Sequence, residues 1–137
     1  MMKKLIAVSL LSFTLFSCAD KQKQEKELLN EVIHVHDRVM GKDELIMINK
    51  MKLDTVIKRN QSPDLVAKAT SLRAALDTAD TRMENWMHNF DAENKGKNHE
   101  EIIAYLTDQK KQIEAIDSNF NRAVKTADTF IKQNNIK

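Results

Sequence analysis

The chain has 137 residues, of which 42% are hydrophobic and 31% are charged, and it contains only two glycines and one proline. So few turn-forming residues argue against sandwiches and barrels, and the sequence lacks the Gly-rich loops of nucleotide-binding folds. The hydrophobic fraction is too high for a disordered segment. The composition therefore predicts one all-α domain.

The N-terminus has the pattern of a bacterial lipoprotein signal peptide. Two lysines near the start precede a mainly apolar run at residues 5–16. This run is shorter than the roughly 20 residues that a membrane-spanning helix needs. The junction Ser17-Cys18 resembles a lipobox, in which a small residue precedes the cysteine that is acylated, for example with palmitate. We therefore predict a signal peptide at residues 1–17, lipidation of Cys18 and a short polar tether at residues 18–24.

The cysteine and charge content limit the classes of partner. Cys18 is the only cysteine, so an intramolecular disulfide cannot form. The formal net charge of +2 equals the charge of the two leader lysines, and the mature chain is therefore neutral. A neutral chain with mixed charges lacks the clustered basic surface that nucleic-acid binding requires. We expect no nucleic-acid partner.

From about Glu25 to Arg59 the sequence predicts one long amphipathic helix. Apolar residues recur at every seventh position, at Val32, Val39, Ile46 and Leu53. Further apolar residues flank them, at Leu28, Ile33, Val35, Met40 and Met47. So broad a face would pack against two helices or seal a dimer. Gly41 interrupts the pattern and predicts a local bend, because a glycine within a helix costs about 1 kcal/mol.

A second helix is predicted to begin at Ser62-Pro63. Ser62 is a favourable N-cap residue, and Pro63 would occupy the first helical position, where its missing N–H is not needed. Apolar spacings of four and three then alternate, which is typical of a heptad seam. The seam comprises Leu65, Ala69, Leu72, Leu76, Ala79, Met83, Trp86 and Phe90.

A third helix follows a break at residues 91–97. Asn98 with Glu101 three residues later resembles a capping box. Its seam comprises Ile102, Leu106, Gln109, Ile113, Ile116, Phe120, Ala123, Ala127 and Phe130. Gln109 is the polar exception, and counting along the helices puts it near Gly41. We interpret it as a buried polar residue that fixes the register.

Short connections return each helix antiparallel to the one before it. The sequence therefore predicts an all-α fold, an up-down-up antiparallel three-helix bundle with coiled-coil-like heptad seams, over residues 25–137. No nucleophile is paired with a plausible base, and the acidic residues lie mostly on outward helix faces, so we expect no enzymatic activity.

The two predicted turns are centred near Gln61 and Lys95. Residues equally far before and after a turn should lie at the same level along the bundle, and this counting places six soft or aromatic side chains in one layer. The layer comprises His36, Met40, Met83, Trp86, Met87 and Tyr105. Imidazole and thioether groups are donors that suit Cu(I), and the face of an indole ring attracts cations. The pairs His36/Met40 and Met83/Met87 are each four residues apart, so each pair presents two donors on one face of its helix. Methionine at core positions is also ordinary packing. We expect a hydrophobic layer without a cofactor, and the alternative is a Cu(I) site formed by His36, Met40, Met83 and Met87.

Three segments carry a family resemblance: HDRVM at 36–40, MENWMHNF at 83–90 and YLTDQKK at 105–111. Together they resemble small lipoproteins of Bacteroidota that are often labelled "viral A-type inclusion protein". The resemblance covers nearly all of the mature chain and implies location and fold, since the family has no established activity. By the same resemblance, lipoproteins of this phylum that are exported to the cell surface carry several acidic residues after the cysteine. In this chain a single acidic residue, Asp20, follows the cysteine before Lys21. The sequence therefore favours the periplasmic face of the outer membrane.

The sequence thus supports two functional hypotheses from different classes. The first is a membrane-anchored lipoprotein that serves as a structural or protein-interaction module of the cell envelope, with an unidentified protein or a second copy of the chain as its partner. The alternative is a periplasmic copper-binding protein that uses the His/Met layer.

Lipidation of Cys18 is directly testable. Cells fed a labelled fatty acid should label the wild-type chain and leave Cys18→Ala unlabelled, because the substitution removes the only thiol of the chain. Labelled chain would be measured by gel fluorography after immunoprecipitation. Equal labelling of both proteins would contradict the lipoprotein prediction.

Overall fold

A computed structural model describes the backbone of residues 14–59 and 62–136 and the side chains from residue 19 onward within those ranges. Over these residues the chain forms four α-helices and no strand: α1 Thr14–Met40, α2 Asp43–Lys58, α3 Pro63–Asn89 and α4 His99–Gln133. The all-α fold class is confirmed. Residues 1–13 and the Cys18 side chain lie outside the described residues, so the signal peptide and the lipidation stay predictions.

The predicted first helix is two helices, which corrects the expectation of one continuous helix from Glu25 to Arg59. The bend predicted at Gly41 is confirmed as an interruption at Gly41 and Lys42. There the backbone hydrogen bond spans three residues and not the four of an α-helix, since Lys42 N donates to Val39 O at 2.9 Å. The first helix also begins earlier than expected, so residues 18–24, predicted as a tether, are helical.

The starts of α3 and α4 follow their sequence signals. Pro63 occupies the first turn of α3, although the Ser62 side chain makes no capping hydrogen bond. At α4 the capping box is complete. The Asn98 side chain accepts hydrogen bonds from Glu100 N and Glu101 N at 3.0 and 3.1 Å, and Asn98 N donates to Glu101 Oε2 at 2.8 Å. These bonds satisfy amide groups that a helix start would otherwise leave unpaired.

One apolar core runs along the helices. The every-seventh residues Val32, Val39, Ile46 and Leu53 are at most 1% exposed. From α3 the buried residues are Ala69, Leu72, Leu76, Ala79, Met83 and Trp86. From α4 the buried apolar residues are Leu106, Ile113, Phe120, Ala127 and Ile131. Helix α1 packs on α4, α2 packs on α3 and α4, and α3 packs on α4, so the helices form a bundle around this core.

The buried faces are narrower than the sequence suggested. Ile33, Met40 and Met47, expected beside the core, are exposed. On α4 the residues Ile116 and Phe130 of the expected seam are only half-buried. In the described residues, no helix has an apolar stretch of sufficient length to cross a bilayer.

Charges introduced into the core should unfold the bundle. Leu72→Asp and Ile113→Asp each bury a carboxylate without a partner, at a cost of about 3–5 kcal/mol, which is comparable with the total stability of a small domain. We expect loss of the cooperative thermal transition measured by circular dichroism at 222 nm. Ser71→Asp, next to Leu72, and Ser118→Asp, five residues after Ile113, change exposed positions on the same helices and are matched controls that should melt like the parent. Parent-like melting of either core variant would contradict the core assignment.

Candidate functional site

His36 on α1 and Met87 on α3 are in direct contact. The distance from His36 Nε2 to Met87 Sδ is 3.4 Å. The other ring nitrogen, Nδ1, lies 2.9 Å from Oδ1 of Asp37. The His36 side chain is 30% exposed and Met87 is 38% exposed, so solvent reaches both. The pairing of these positions agrees with the level that counting along the helices predicted.

Aromatic rings continue from His36 towards the α3–α4 loop. The ring centroids of His36 and Trp86 are 6.1 Å apart. Trp86 stacks on Phe90 at 4.8 Å, and Phe90 stacks on Tyr105 at 6.2 Å. The hydroxyl of Tyr105 accepts a hydrogen bond from Asp91 N at 2.7 Å. This stack, anchored at the loop, holds the indole of Trp86 beside the imidazole.

The expected layer of six soft and aromatic residues is therefore assembled only in part. Met83 is 2% exposed and belongs to the apolar core. Met40, the last residue of α1, is exposed. Tyr105 was expected level with Trp86 but faces Phe90, because the first turns of α4 extend beyond the end of α3. The structure brings together His36, Met87 and Trp86 and places Tyr105 outside this group.

Asp117 is the polar residue beside the α1–α2 interruption, and the sequence analysis missed it. It is 9% exposed. Oδ2 accepts from Arg38 Nε at 3.1 Å, and Oδ1 accepts from Lys42 Nζ at 3.1 Å and from Asn121 Nδ2 at 3.0 Å. Lys42 Nζ also donates to Asn121 Oδ1 at 2.6 Å. These four side chains, the Asp117 cluster, join α4 to the interruption.

Asp117 takes the position that counting had assigned to Gln109. Gln109 is buried as predicted, but it lines a groove of about 560 Å³ together with Trp86, away from the interruption. The counting placed the middle of the α3–α4 turn at Lys95, with equal numbers of residues on either side at each level. In the structure the start of α4 is shifted relative to the end of α3, so residues later in α4 lie beside Gly41. A signal for Asp117 was present in the sequence, since it follows Ile113 by four residues, a spacing typical of one helix face.

The electrostatics of Asp117 favour its ionised form. Burial would raise the pKa of this carboxyl, but hydrogen bonds from Lys42 and Arg38 and the charges of both cations outweigh burial. The net effect is a pKa below the usual value for aspartate. Asp117 therefore stays charged and paired at neutral pH.

A second polar cluster joins α2 to α3. Lys50 Nζ lies 2.9 Å from Asp77 Oδ1 and 2.6 Å from Asp80 Oδ2. Arg73 pairs with Asp77 and with Asp54, the latter at 3.1 Å from Nε to Oδ1. Burial of Lys50 opposes its charge, but the two carboxylates outweigh burial and raise its pKa. The alternation of cations and carboxylates fixes how α2 sits on α3.

Helix α2 carries an apolar face that points away from the core. Seven large apolar side chains are exposed in the described residues, and four of them lie between residues 45 and 51. These four, Leu45, Met47, Ile48 and Met51, are 37 to 64% exposed and are called the α2 face below. The buried residues of the same helix, Ile46, Asn49, Leu53 and Val56, lie towards α3 and α4.

Comparisons of the chain with protein-family models, with curated proteins and with solved structures gave no match. Within the described side chains, no group of three or more His, Cys, Asp or Glu is arranged to hold a metal ion. Methionine, whose sulfur can also bind a metal ion, is not one of these four residue types. Two features of the described residues bear on function, the α2 face and the contact between His36 and Met87.

The stabilisation by Asp117 should depend on pH. Asp117→Asn should lower the free energy of unfolding at pH 7 by about 1–3 kcal/mol, because charge-assisted hydrogen bonds are lost. Because folding lowers this pKa, the stabilisation is present above the unfolded-state pKa of about 4 and is lost as the pH falls through the folded-state pKa. Urea titrations of parent and variant at several pH values would measure the difference.

The matched control for this experiment is Asp128→Asn. Asp128 pairs with Lys132 one turn away on the exposed surface of α4. Its removal should change the free energy of unfolding by less than about 0.5 kcal/mol. A difference between parent and Asp117→Asn that stays constant down to acid pH would contradict the assigned role of the carboxylate.

Proposed function

We propose that this chain is a lipid-anchored helical module of the cell envelope that binds a partner protein through the α2 face. The observation that carries this proposal is the concentration of exposed apolar side chains between residues 45 and 51. Contiguous exposed apolar side chains mark interaction sites, whereas single ones are normal on a surface. The location rests on the signal peptide and the Ser17-Cys18 junction, with the periplasmic face of the outer membrane as the proposed address.

The composition of the α2 face suits protein recognition. Two of its four members are methionines, Met47 and Met51, whose unbranched thioether chains adapt to irregular partner surfaces. Methionine is enriched in protein interfaces relative to the remaining surface. Glu44 and Lys52, which are exposed or half-buried beside the face, would form a polar rim around an apolar centre.

The proposed arrangement of helices is the up-down-up antiparallel three-helix bundle, with α1 and α2 together as its first member. Contacts to α4 support it, since they join residues at nearly constant separation. Glu31–Lys110, Arg38–Asp117 and Lys42–Asn121 are each 79 apart, and Asn49–Val124 are 75 apart. A constant separation is what parallel helices produce.

Contacts to α3 support the opposite direction for that helix. The separation falls from 51 for His36–Met87 to 30 for Lys50–Asp80 and 19 for Asp54–Arg73. A separation that falls along the chain is what antiparallel helices produce. The seven-residue recurrence of buried positions from Val32 to Leu53 supports coiled-coil-like packing.

This arrangement sets the α2 face apart from the lipid-bearing end. From Cys18 to Gly41 the chain lies in or at the end of α1, a path of about 35 Å at about 1.5 Å per residue. A module standing upright on the membrane would hold the α2 face at that height in the periplasm. The partner we propose is therefore a protein of the envelope that approaches from the aqueous side.

Site-specific photo-crosslinking in living cells tests the proposal. A photoreactive amino acid at position 51, in the full chain, should give a discrete adduct, and the same residue at position 118, exposed on α4, should not. Adding Ile48→Glu should reduce the adduct by about tenfold or more, since a charge placed in an interface removes more than about 1.4 kcal/mol of binding. Adduct yields would be measured on immunoblots.

The outcomes separate the two kinds of partner. An adduct of twice the chain mass identifies a second copy of the chain, and any other discrete mass identifies a different protein. Cys18→Ala should lower the adduct yield, because the anchor raises the effective concentration of the partner. Adduct formation at position 51 no stronger than at position 118, or unchanged by Ile48→Glu, would overturn the proposal.

A further inference from the structure

The contact between His36 and Met87 pairs two groups that both carry lone pairs. An ionised carboxylate only accepts hydrogen bonds, so Asp37, at 2.9 Å from Nδ1, keeps the proton of the neutral imidazole on Nδ1. Nε2 then presents a lone pair to Sδ of Met87 at 3.4 Å, and a thioether sulfur has no proton to donate. A cation bound to both atoms would make this arrangement favourable.

The distance between the two donors fits one metal ion. For bond lengths like those of zinc, about 2.0 Å to nitrogen and about 2.3 Å to sulfur, a donor separation of 3.4 Å gives an angle of about 105° at the metal. This value lies close to the tetrahedral angle. The two side chains therefore need no rearrangement of the helices to share an ion.

We propose that His36 Nε2 and Met87 Sδ bind one Cu(I) ion, independently of the partner proposed for the α2 face. Thioether and imidazole are donors that select soft monovalent copper, whereas magnesium and calcium prefer oxygen donors. Met40, one turn from His36 on α1 and exposed, would supply a third donor after rotation of its side chain. Met83, which lies in the core, takes no part.

Two neighbouring side chains complete the site without binding the ion. Asp37 orients the imidazole through Nδ1, the role that carboxylates play behind many metal-bound histidines. The Trp86 ring is centred 6.1 Å from the imidazole and would lie beside the bound cation. Because Trp86 is the only tryptophan of the chain, its fluorescence reports directly on this position.

The test is an anaerobic titration of the full chain with Cu(I), supplied as its acetonitrile complex. The Cys18→Ser variant serves as the parent, so that no thiol competes for the ion. Binding would be followed by Trp86 fluorescence and by competition with a coloured Cu(I) chelator. We expect one equivalent to bind and to change the emission. His36→Ala and Met87→Leu should each weaken binding by more than tenfold, and Asp37→Ala by about tenfold, the lower end of the range for residues behind metal ligands.

Met51→Leu is the matched control for Met87→Leu, since it removes a sulfur from the α2 face and should leave binding unchanged. Circular dichroism at 222 nm would verify that each variant is folded, and Met87→Leu preserves side-chain volume. Absence of one-to-one uptake by the parent would overturn the proposal and leave a proton on Nε2 as the link between His36 and Met87. Uptake that survives both His36→Ala and Met87→Leu would overturn it equally.

Discussion

The ion pairs of Asp117 with Arg38 and Lys42 connect α4 to the interruption between α1 and α2. Arg38 lies on α1 and Lys42 in the interruption, so one carboxylate on α4 holds both. A buried carboxylate needs such partners, and this requirement fixes α4 against α1 more strictly than apolar contacts alone, which tolerate sliding. His36 lies two residues before Arg38 on α1, whereas its partner Met87 lies on α3, which the ion pairs of Lys50 hold against α2.

An exposed apolar stripe crosses the interruption. Ile33, Met40 and Met47 are spaced by seven residues and are all exposed, so an apolar stripe runs beside the buried one across the break. Met40 lies on this stripe between the His36–Met87 contact and the α2 face. The two candidate sites are thus neighbours on one side of the molecule, although different chemistry defines each.

The core could be predicted from the sequence, because the spacing of Leu72, Leu76 and Ala79 admits only one buried face of α3. Gly41 marked the break for a similarly local reason. Asp117 could not be predicted with its partners, since its cations lie 75 and 79 residues away and nothing local identifies them. The position of Tyr105 was wrong because it depends on the path of the loop after Phe90, for which helical periodicity gives no rule.

Helix α1 includes residues 18–24, so the segment expected to tether the domain is itself rigid. A flexible segment of seven residues has a mean end-to-end distance of about 15 Å in any direction, whereas the same residues in a helix extend about 10 Å in one direction. An acyl chain on Cys18 would then lie at the end of a lever of about 35 Å, so that tilting α1 by about 30° on the lipid surface would move the far end of the helix by about 18 Å. The orientation of α1 on the membrane would in that way set the height at which the α2 face meets its partner.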